Sequence, residues 1–326
     1  MSETKRPTSP AAEEILGGYF PVLDHGFVSL VDYMGTDEDI ERAARVSYGY
    51  GTRKRSATRG LIRYLRRHAH TTPSEMVELK FHCAMPIFVA RQWIRHRTAS
   101  VNEYSGRYSL MPLLFYEPPA GSFSLQSSSN NQGRQESPAD PALYAEAIQR
   151  WDRIRADASD TYGWLVQEDV AREIARIDLP LSTYTQWYWK IDLHNLLHFL
   201  RLRVDPHAQW EIQEYGRVMA GMLERVAPLS YEAWLDYEVL GARMSGAELD
   251  ALRRLLTADE NGIAPRDVRL GADELSAVGL SGREVRELIA KLQPVERPDY
   301  SLDLSRMRPA EELAAEMSEA VPDVDR

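Results

Sequence analysis

The sequence predicts an α+β fold, with a mixed core of long helices and an antiparallel sheet and a helical C-terminal extension. Residues 78–85 alternate polar and apolar side chains, which is the period of a half-buried strand. Residues 181–190 are rich in Thr, Tyr and Trp, which favour strands. Leucines at positions 193, 196, 197 and 200 follow the spacing of one helical face. Strand and helix patterns therefore occur in the same chain.

The elements before residue 98 follow from local signals. Thr36 and Asp39 have the spacing of a helix-capping pair, and Thr72-Pro73-Ser74-Glu75 is a capping box with proline at the first helical position. The basic stretch 53–68 contains interleaved apolar residues and predicts an amphipathic helix with a solvated face. The predicted order is a strand at 26–33, a helix from Thr36 toward Arg45, a helix within 53–68, a helix opening at Thr72, a strand at 78–85 and a helix from Pro86 to about His96.

The elements after residue 98 are predicted in the same way. The polar chain at 98–106 predicts a loop, and the chain at 119–142, rich in serine and asparagine, predicts a flexible surface loop that is either an insertion or a lid. Asp192 is the predicted cap of the leucine-rich helix. The other predicted elements are a strand at 108–116, helices within 141–177, a strand at 181–190, a helix from about His207 to Val226, and short helices opened by the capping boxes Ser245-x-x-Glu248 and Ser281-x-x-Glu284.

Composition and charge limit the possible organisation of the chain. Residues 1–14 lack an apolar segment and predict a disordered tail, residues 15–240 form the main domain, and residues 241–326 form an acidic helical extension of unknown role. The net charge of −10 does not suit a general nucleic-acid binder, and no apolar run is long enough to span a bilayer. We therefore expect a cytoplasmic protein with no nucleic-acid or membrane partner.

Cys83 is the single cysteine of the chain. It can form no intrachain disulfide, and no CxxC zinc pattern exists. Because Cys83 falls on the apolar side of the predicted strand at 78–85, we expect a buried and unreactive thiol.

The densest polar chemistry lies in the segment RQWIRHRTASVNEYSGR, residues 91–107. Helices often end in basic residues, because cations there meet the favourable end of the helix dipole, and this structural explanation stays open for the arginines up to Arg97. It does not account for the loop that follows. That loop offers a further arginine, a hydroxyl and backbone N–H groups beside a glycine, which together are suited to holding a phosphate. The residues alone favour a site for a small anion.

Arg95-His96-Arg97, seven further residues and Ser105 match the signature motif of the flavin-dependent thymidylate synthases, which the chain resembles from about residue 25 to 240. The resemblance extends to residues 44–49, 70–75, 172–176, 192–203 and 205–211. It implies that residues 15–240 are the catalytic domain of an enzyme that methylates dUMP to dTMP. It also implies tightly bound FAD, NADPH and methylenetetrahydrofolate as co-substrates, and a homotetramer with active sites at subunit interfaces.

The resemblance assigns roles to individual positions. Arg203 is the implied catalytic residue, because the family's arginine at this position contacts the uracil ring and favours ionisation at N3. Arg107 and Arg176 are implied to grip the phosphate, and His70 to lie beside the flavin ring. The implied dUMP-binding residues are Gln92, Trp93, Ile94, Arg95, Glu103, Tyr104, Ser105, Gly106, Arg107, Arg176 and Arg203. The implied FAD-binding residues are Ser47, His70, Thr72, Glu75, Arg95, His96, Arg97, Glu103, Asp192, His194 and His198.

Asp192, His194 and His198 replace the asparagine, arginine and asparagine that the family can present to FAD, so the charge there differs. His194 and His198 also have zinc-ligand spacing, but Asn195 breaks the H-E-x-x-H pattern, and we predict no metal site. Ser105 is assigned to dUMP binding, since no His–Asp set surrounds it in sequence.

Other interpretations remain open from the residues alone. Arg172 and Arg176 could simply form a solvated helix face that pairs with Glu173 or Asp169. A nucleic-acid-binding module would use the arginine-rich segments and would bind DNA with a steep salt dependence. A flavoprotein that only binds its ligands would be yellow but would make no dTMP.

Overall fold

The computed structural model describes residues 6–46, 58–128, 133–260 and 262–322, and its core is an antiparallel sheet. The strands follow the order β1-β2-β3-β5-β4, and each neighbouring pair is antiparallel. The predicted α+β class is therefore confirmed. The strands are β1 (Tyr19–Val22), β2 (Gly26–Met34), β3 (Glu78–Pro86), β4 (Ser100–Glu103) and β5 (Tyr184–Asp192).

Helices make up most of the remaining regular structure, and the chain divides into two compact units, Met1–Ala233 with Tyr300–Arg326 and Trp234–Asp299. The α-helices are α1 (Pro10–Glu13), α2 (Asp37–Val46), α3 (Thr58–Arg67), α4 (Ile87–Trp93), α5 (Pro141–Gln167), α6 (Arg172–Ala175), α7 (Leu193–Arg203), α8 (Trp210–Val226), α9 (Pro228–Trp234), α10 (Gly246–Leu255), α11 (Ala272–Ala277), α12 (Gly282–Lys291) and α13 (Ala310–Glu319). Shorter 3₁₀ turns cover Thr72–Met76, Ala120–Ser122 and Leu304–Arg306, and a π-helical turn covers Leu235–Val239.

Strand β3 shows the predicted alternation. Leu79, Phe81 and Cys83 are fully buried, while Lys80 and His82 between them are partly exposed. The apolar side chains face the core, as expected for a strand with one solvated face. The predicted burial of Cys83 is confirmed.

Tryptophan rings join the sheet to its helices. Trp93, the last residue of α4, packs edge-on against Trp187 and Trp189 of β5, with ring centroids 5.5 and 5.4 Å apart. It also stacks on Phe199 of α7 at 5.0 Å. Large buried aromatic rings dominate the energetics of a core, so this cluster determines where α4 and α7 lie on the sheet. The arginine-rich segment leaves the core immediately after Trp93.

Two predictions between residues 98 and 116 are wrong. No strand forms at 108–116, where Phe115 makes one bridge to Thr183 and the Leu113 N–H donates to the Ala320 carbonyl at 2.9 Å. Apolar residues form a strand only where a partner runs alongside them, and this stretch has isolated contacts instead. The predicted loop at 98–106 contains β4, an exposed edge strand on β5. A polar edge strand carries no alternation signal in its sequence.

Capping predictions depend on purely local geometry, and most are confirmed. The Thr36 N–H donates to Asp39 Oδ2 at 3.0 Å, and the Asn195 N–H donates to the Asp192 cap at 2.9 Å. The box at Thr72 is wrong, because Thr71 occupies the cap position without a side-chain hydrogen bond and a 3₁₀ turn follows. Parts of two predicted segments, residues 53–57 and 129–132, lie outside the described residues.

The unit Trp234–Asp299 contains α10 to α12 and a hairpin of β6 (Leu256–Asp259) and β7 (Gly262–Pro265) that was not predicted. Both predicted capping boxes are present, with Ser245 accepting from the Glu248 N–H at 3.2 Å and Ser281 accepting from the Glu284 N–H at 3.3 Å.

Residues 300–322 belong to the other unit, so the segment predicted as one extension is divided between the two. Leu313 of α13 is buried there against Phe27 and Ala84. Among the described helices, none combines the length and the apolar character needed to cross a membrane.

Candidate active site

The loop that follows β4 is a tight turn built around Ser105. The Tyr104 N–H donates to the Gln186 carbonyl at 2.8 Å, which fixes the start of the loop on the sheet. The N–H groups of Tyr108 and Ser109 both donate to the Ser105 carbonyl at 3.0 Å. The Arg107 N–H lies 3.3 Å from Ser105 Oγ. The hydroxyl of the motif serine therefore orients its own turn.

Gly106 brings a distant arginine to this loop. A Cβ at Gly106 would lie 2.6 Å from Met111 Sδ and 3.0 Å from Arg176 Cδ. The absence of a side chain thus allows Arg176, which follows α6, to approach the loop backbone. Arg107 reaches toward the same helix and pairs with Glu173 at 2.9 Å. The structure therefore places Arg107 and Arg176 at one loop, and their role as phosphate ligands stays a prediction.

Glu103, at the end of β4, stands before this turn. Its Oε1 accepts a hydrogen bond from the buried Thr185 hydroxyl at 2.8 Å. The next residue, Tyr104, turns its hydroxyl to the Leu110 carbonyl, and burial raises its pKa. Glu103 therefore anchors the start of the loop that carries Ser105, Gly106 and Arg107 to β5, and Tyr104 anchors its end at Leu110.

A second group forms where α7 ends. Arg203 Nε–H donates to His96 Nε2 at 3.1 Å, and the His198 ring lies 6.0 Å from the His96 ring. Burial, followed by the charges of Arg203 and His198, lowers the pKa of His96 from 6.5 to about 4. His96 is therefore neutral near pH 7 and can accept the bond. Burial also lowers the pKa of Arg203.

The start of α7 is held by a polar network. Asp192 Oδ1 accepts from the Asn195 N–H, and its Oδ2 accepts from the Asn195 side-chain amide at 2.6 Å. Thr98 Oγ1 donates to Asn195 Oδ1 at 2.9 Å, which connects the network to the arginine-rich segment. Both carboxylate oxygens of Asp192 accept hydrogen bonds from Asn195, so Asp192 caps the N-terminus of α7. His194 Nδ1 is buried and lacks a hydrogen-bond partner within the described part of the chain.

A third group lines a cavity of about 1020 Å³ between α2, α3 and the turn Thr72–Met76. Ala69 adopts a left-handed φ of 55°, and this turn leads the chain from α3 to His70. His70 and Thr72 line the cavity together with the half-exposed Tyr64, whose ring lies edge-on to His70 at 5.8 Å. Glu75 is exposed on the same 3₁₀ turn.

The other implied residues are placed as follows. The Gln92 amide donates to Gln209 Oε1, while Arg95 and Arg97 extend into solvent and Ile94 is partly buried where α4 ends. The Trp93 side chain is fully buried in the core, so we expect any contact of this residue with dUMP to involve its backbone. Ser47 lies outside the described residues.

Contacts around the site include residues to which the sequence assigned no role. The sequence suggests that Glu173 pairs with Arg172 or Arg176, but in the structure it forms an ion pair with Arg107. Arg172 instead donates a hydrogen bond to the Tyr108 carbonyl at 2.6 Å. Asn195 could have been recognised, because it lies three residues after a capping aspartate. No local signal marks Tyr64 as a cavity residue. Within the described ranges, no cluster of three or more His, Cys, Asp or Glu residues is placed to hold a metal ion.

The chain is similar in sequence to a known protein family and to several of its members. A family model described as thymidylate synthase complementing protein matches residues 29–229. A flavin-dependent thymidylate synthase of Gluconobacter oxydans is 51% identical over 276 residues, covering 81% of this chain and 89% of that protein. One from Ruegeria pomeroyi is 48% identical over 279 residues, covering 82% and 91%.

A solved structure is also similar. It is a UMP/dUMP methylase, PolB from Streptomyces cacaoi, bound with 5-Br dUMP, and it aligns with a TM-score of 0.61 and 32% sequence identity. The alignment covers 67% of this chain and 97% of that one.

Proposed function

Because the chain belongs to the flavin-dependent thymidylate synthase family, we propose that its loop at residues 103–107, together with Arg176 and Arg203, binds dUMP for methylation. The enzyme converts dUMP to dTMP with FAD as its cofactor. In this assignment Arg107 and Arg176 bind the phosphate, and Arg203 contacts the pyrimidine. The anion-binding chemistry of the Ser105 turn supports it, since guanidinium groups and a glycine-spaced backbone meet there.

The observation that carries this function is the burial of Cys83. Methylation at C5 of uracil requires that this carbon first become nucleophilic, and a cysteine thiolate can achieve this by attacking C6. Cys83 is 0% exposed, and burial raises the pKa of its thiol well above the ordinary value, so it cannot serve as this thiolate. When bound in its reduced form, FAD would supply the hydride that completes the methyl group.

The cavity between α2, α3 and the turn Thr72–Met76 is large enough for a flavin nucleotide. Its volume of about 1020 Å³ lies at the upper end of the range for ligand pockets, and it combines apolar walls with a few polar side chains. We assign His70 and Thr72, which line this cavity, to FAD binding, together with Glu75 on the same turn. We assign His96, Arg97 and the start of α7 to further contacts with FAD. Asp192 contributes by capping α7.

Arg203 is prepared for the pyrimidine by His96. The neutral imidazole accepts the Nε–H of Arg203, which fixes the guanidinium and leaves its terminal amino groups for the substrate. A guanidinium stays charged near neutral pH and stabilises negative charge at N3 of the uracil ring. His96 therefore acts as a positioning residue for Arg203.

We also propose a homotetramer whose active sites combine these groups across subunits. Large apolar side chains are exposed near the substrate loop, with Trp164, Ile174, Ile177 and Leu181 between 53 and 67% exposed. Contiguous patches of exposed apolar side chains, unlike single ones, mark protein interfaces. We propose NADPH and methylenetetrahydrofolate as co-substrates and the cytoplasm, where nucleotide precursors are made, as the place of action.

The direct test is dTMP formation by the purified full-length chain. The protein, dUMP, methylenetetrahydrofolate and NADPH are incubated with and without added FAD, and dTMP is quantified by chromatography. We expect a yellow protein and NADPH-dependent dTMP. A yellow protein that binds dUMP but forms no dTMP would indicate a binding-only flavoprotein. A colourless protein that binds DNA would favour the nucleic-acid module.

A further inference from the structure

The C-terminal strap, residues 300–321, lies beyond the part of the chain that the family model matches, yet it packs on the unit that contains the Ser105 turn. Two glycines make room for it. A Cβ at Gly18 would overlap Met307 Sδ, and a Cβ at Gly221 of α8 would overlap the Tyr300 carbonyl oxygen. The surface of this unit is therefore shaped to receive the strap.

The strap is fixed to the sheet at an edge and on one face. The Arg308 N–H donates to the Tyr19 carbonyl of the edge strand β1 at 2.8 Å, and the Tyr19 N–H donates back at 3.0 Å. Leu313 of α13 is 6% exposed and packs against Phe27 and Ala84. Because side chains alternate along β3, Ala84 points away from the core face. Helix α13 therefore covers part of the sheet face that the core leaves open.

The end of the strap contacts the end of the loop at residues 103–113. The Leu113 N–H donates to the Ala320 carbonyl at 2.9 Å. A cavity of about 310 Å³ is lined by Tyr104 and Pro112 from the loop and by α13 and Val321 from the strap. The strap thus supports the loop through a hydrogen bond and a shared apolar surface.

This end of the loop carries the turn that we assign to the phosphate. Met111, two residues before Leu113, donates its N–H to the Tyr162 hydroxyl at 2.9 Å, and its Sδ would lie 2.6 Å from a Cβ at Gly106. Arg176 approaches the same glycine. Because packed groups transmit displacement, a shift of the chain at Met111 changes the support of the Gly106 turn.

From these contacts we propose that the strap is a positioning segment for dUMP binding. It holds residues 111–113 in place and thereby keeps the Gly106 turn and its arginines arranged for the phosphate. The proposal rests on the function proposed above. A released loop has to be ordered again when dUMP binds, which weakens the affinity. Among the described residues, no part of the strap lines the cavity assigned to FAD, so flavin binding does not depend on it.

The test compares two substitutions in the flavin-loaded, full-length protein. Leu313→Ala removes the side chain that seats α13, whereas the matched control Leu304→Ala removes the same atoms from a strap position that is 38% exposed. For Leu313→Ala we expect the dissociation constant and the KM for dUMP to rise about fivefold, with kcat and flavin absorbance unchanged. The control should match the wild type, and Leu313→Met, which conserves the volume, should restore the affinity. A merely structural role would lower the yield of folded protein without moving KM.

Hydrogen exchange of the protein without dUMP gives a second readout. Peptides from residues 104–113 should exchange faster in Leu313→Ala than in Leu304→Ala, because the loop has lost its support. Val321→Asp keeps the test decisive if Leu313→Ala does not fold, since Val321 is partly exposed and a charge there should release the same loop.

The outcomes separate this inference from the function on which it rests. A wild-type protein that binds no dUMP contradicts the proposed function and the inference together. A wild-type protein that binds dUMP, with unchanged affinity and loop exchange in Leu313→Ala and Val321→Asp, overturns the inference alone. Equal effects of Leu313→Ala and Leu304→Ala overturn it as well.

Discussion

Arg203 Nε–H donates to His96 Nε2 at 3.1 Å, which ties the last turn of α7 to the segment that follows α4. The two residues are more than a hundred positions apart in sequence, yet the protonation state of one depends on the other. The bond requires a neutral imidazole, because a protonated ring has no acceptor nitrogen. The charge of Arg203 in turn helps to keep His96 neutral.

The first prediction concerns stability in acid. His96 takes up its proton near pH 6.5 when unfolded and near pH 4 when folded, so between these values the unfolded state holds more protons. This residue's contribution to folding is therefore complete above pH 6.5 and is lost as the pH falls toward 4. Urea unfolding of the flavin-free protein should show wild type losing stability relative to His96→Gln over this window. Parallel pH curves for the two proteins would contradict the assignment.

A second prediction follows from the pair of Arg107 and Glu173. Both side chains are about half exposed, so the pair stabilises the protein little, but Glu173 competes with a phosphate for the arginine. Glu173→Gln should lower the dissociation constant of dUMP a few-fold, which corresponds to about 1 kcal/mol or less. Calorimetry measures this change, with the exposed Glu168→Gln as control. Unchanged or weaker dUMP binding would show that Arg107 does not bind the phosphate.

The third prediction tests the approach of Arg176 to Gly106. In Gly106→Ala the new methyl group would overlap Met111 Sδ and press on Arg176 Cδ. We expect a KM for dUMP raised about tenfold, with flavin content unchanged, because the displaced arginine no longer meets the phosphate. Gly121→Ala is the control, since no atom lies within 4 Å of its added Cβ. Equal KM values for the two variants would argue against this geometry.

Arg203→Ala gives the fourth prediction. Loss of the guanidinium should abolish dTMP formation while flavin absorbance is retained, because the lost contact is to the pyrimidine. Arg201→Ala, on the same turn of α7, is the matched control and should keep turnover. Normal turnover in Arg203→Ala would exclude this residue from the mechanism.

The fifth prediction tests the cysteine-free mechanism. Cys83→Ala removes one buried sulfur and should cost about 1 kcal/mol of stability while dTMP formation continues. Denaturant unfolding and the chromatographic assay measure the two effects. A folded, flavin-loaded variant without turnover would show that the thiol takes part after all.

Predictions from sequence succeeded where the determining interactions are local. The alternation of β3 and the capping boxes at Ser245 and Ser281 are written in neighbouring residues, and all three are present, whereas the equally local box at Thr72 is not formed. They failed where a distant segment decides. Residues 108–116 have the composition of a strand but bridge to another segment only at Phe115, whereas the polar β4 becomes a strand because β5 offers it an open edge.

The sequence by itself determined the fold class, the burial of the only cysteine and the family, because periodicity and ordered motifs are properties of the chain. Tertiary structure alone decided which charges meet. It paired Arg107 with Glu173, joined Arg203 to His96 and placed the Trp93 indole in the core. The physical reason is that a hydrogen bond or ion pair depends on distances of about 3 Å. Residues far apart in the chain reach such distances only when the core brings their helices and strands together.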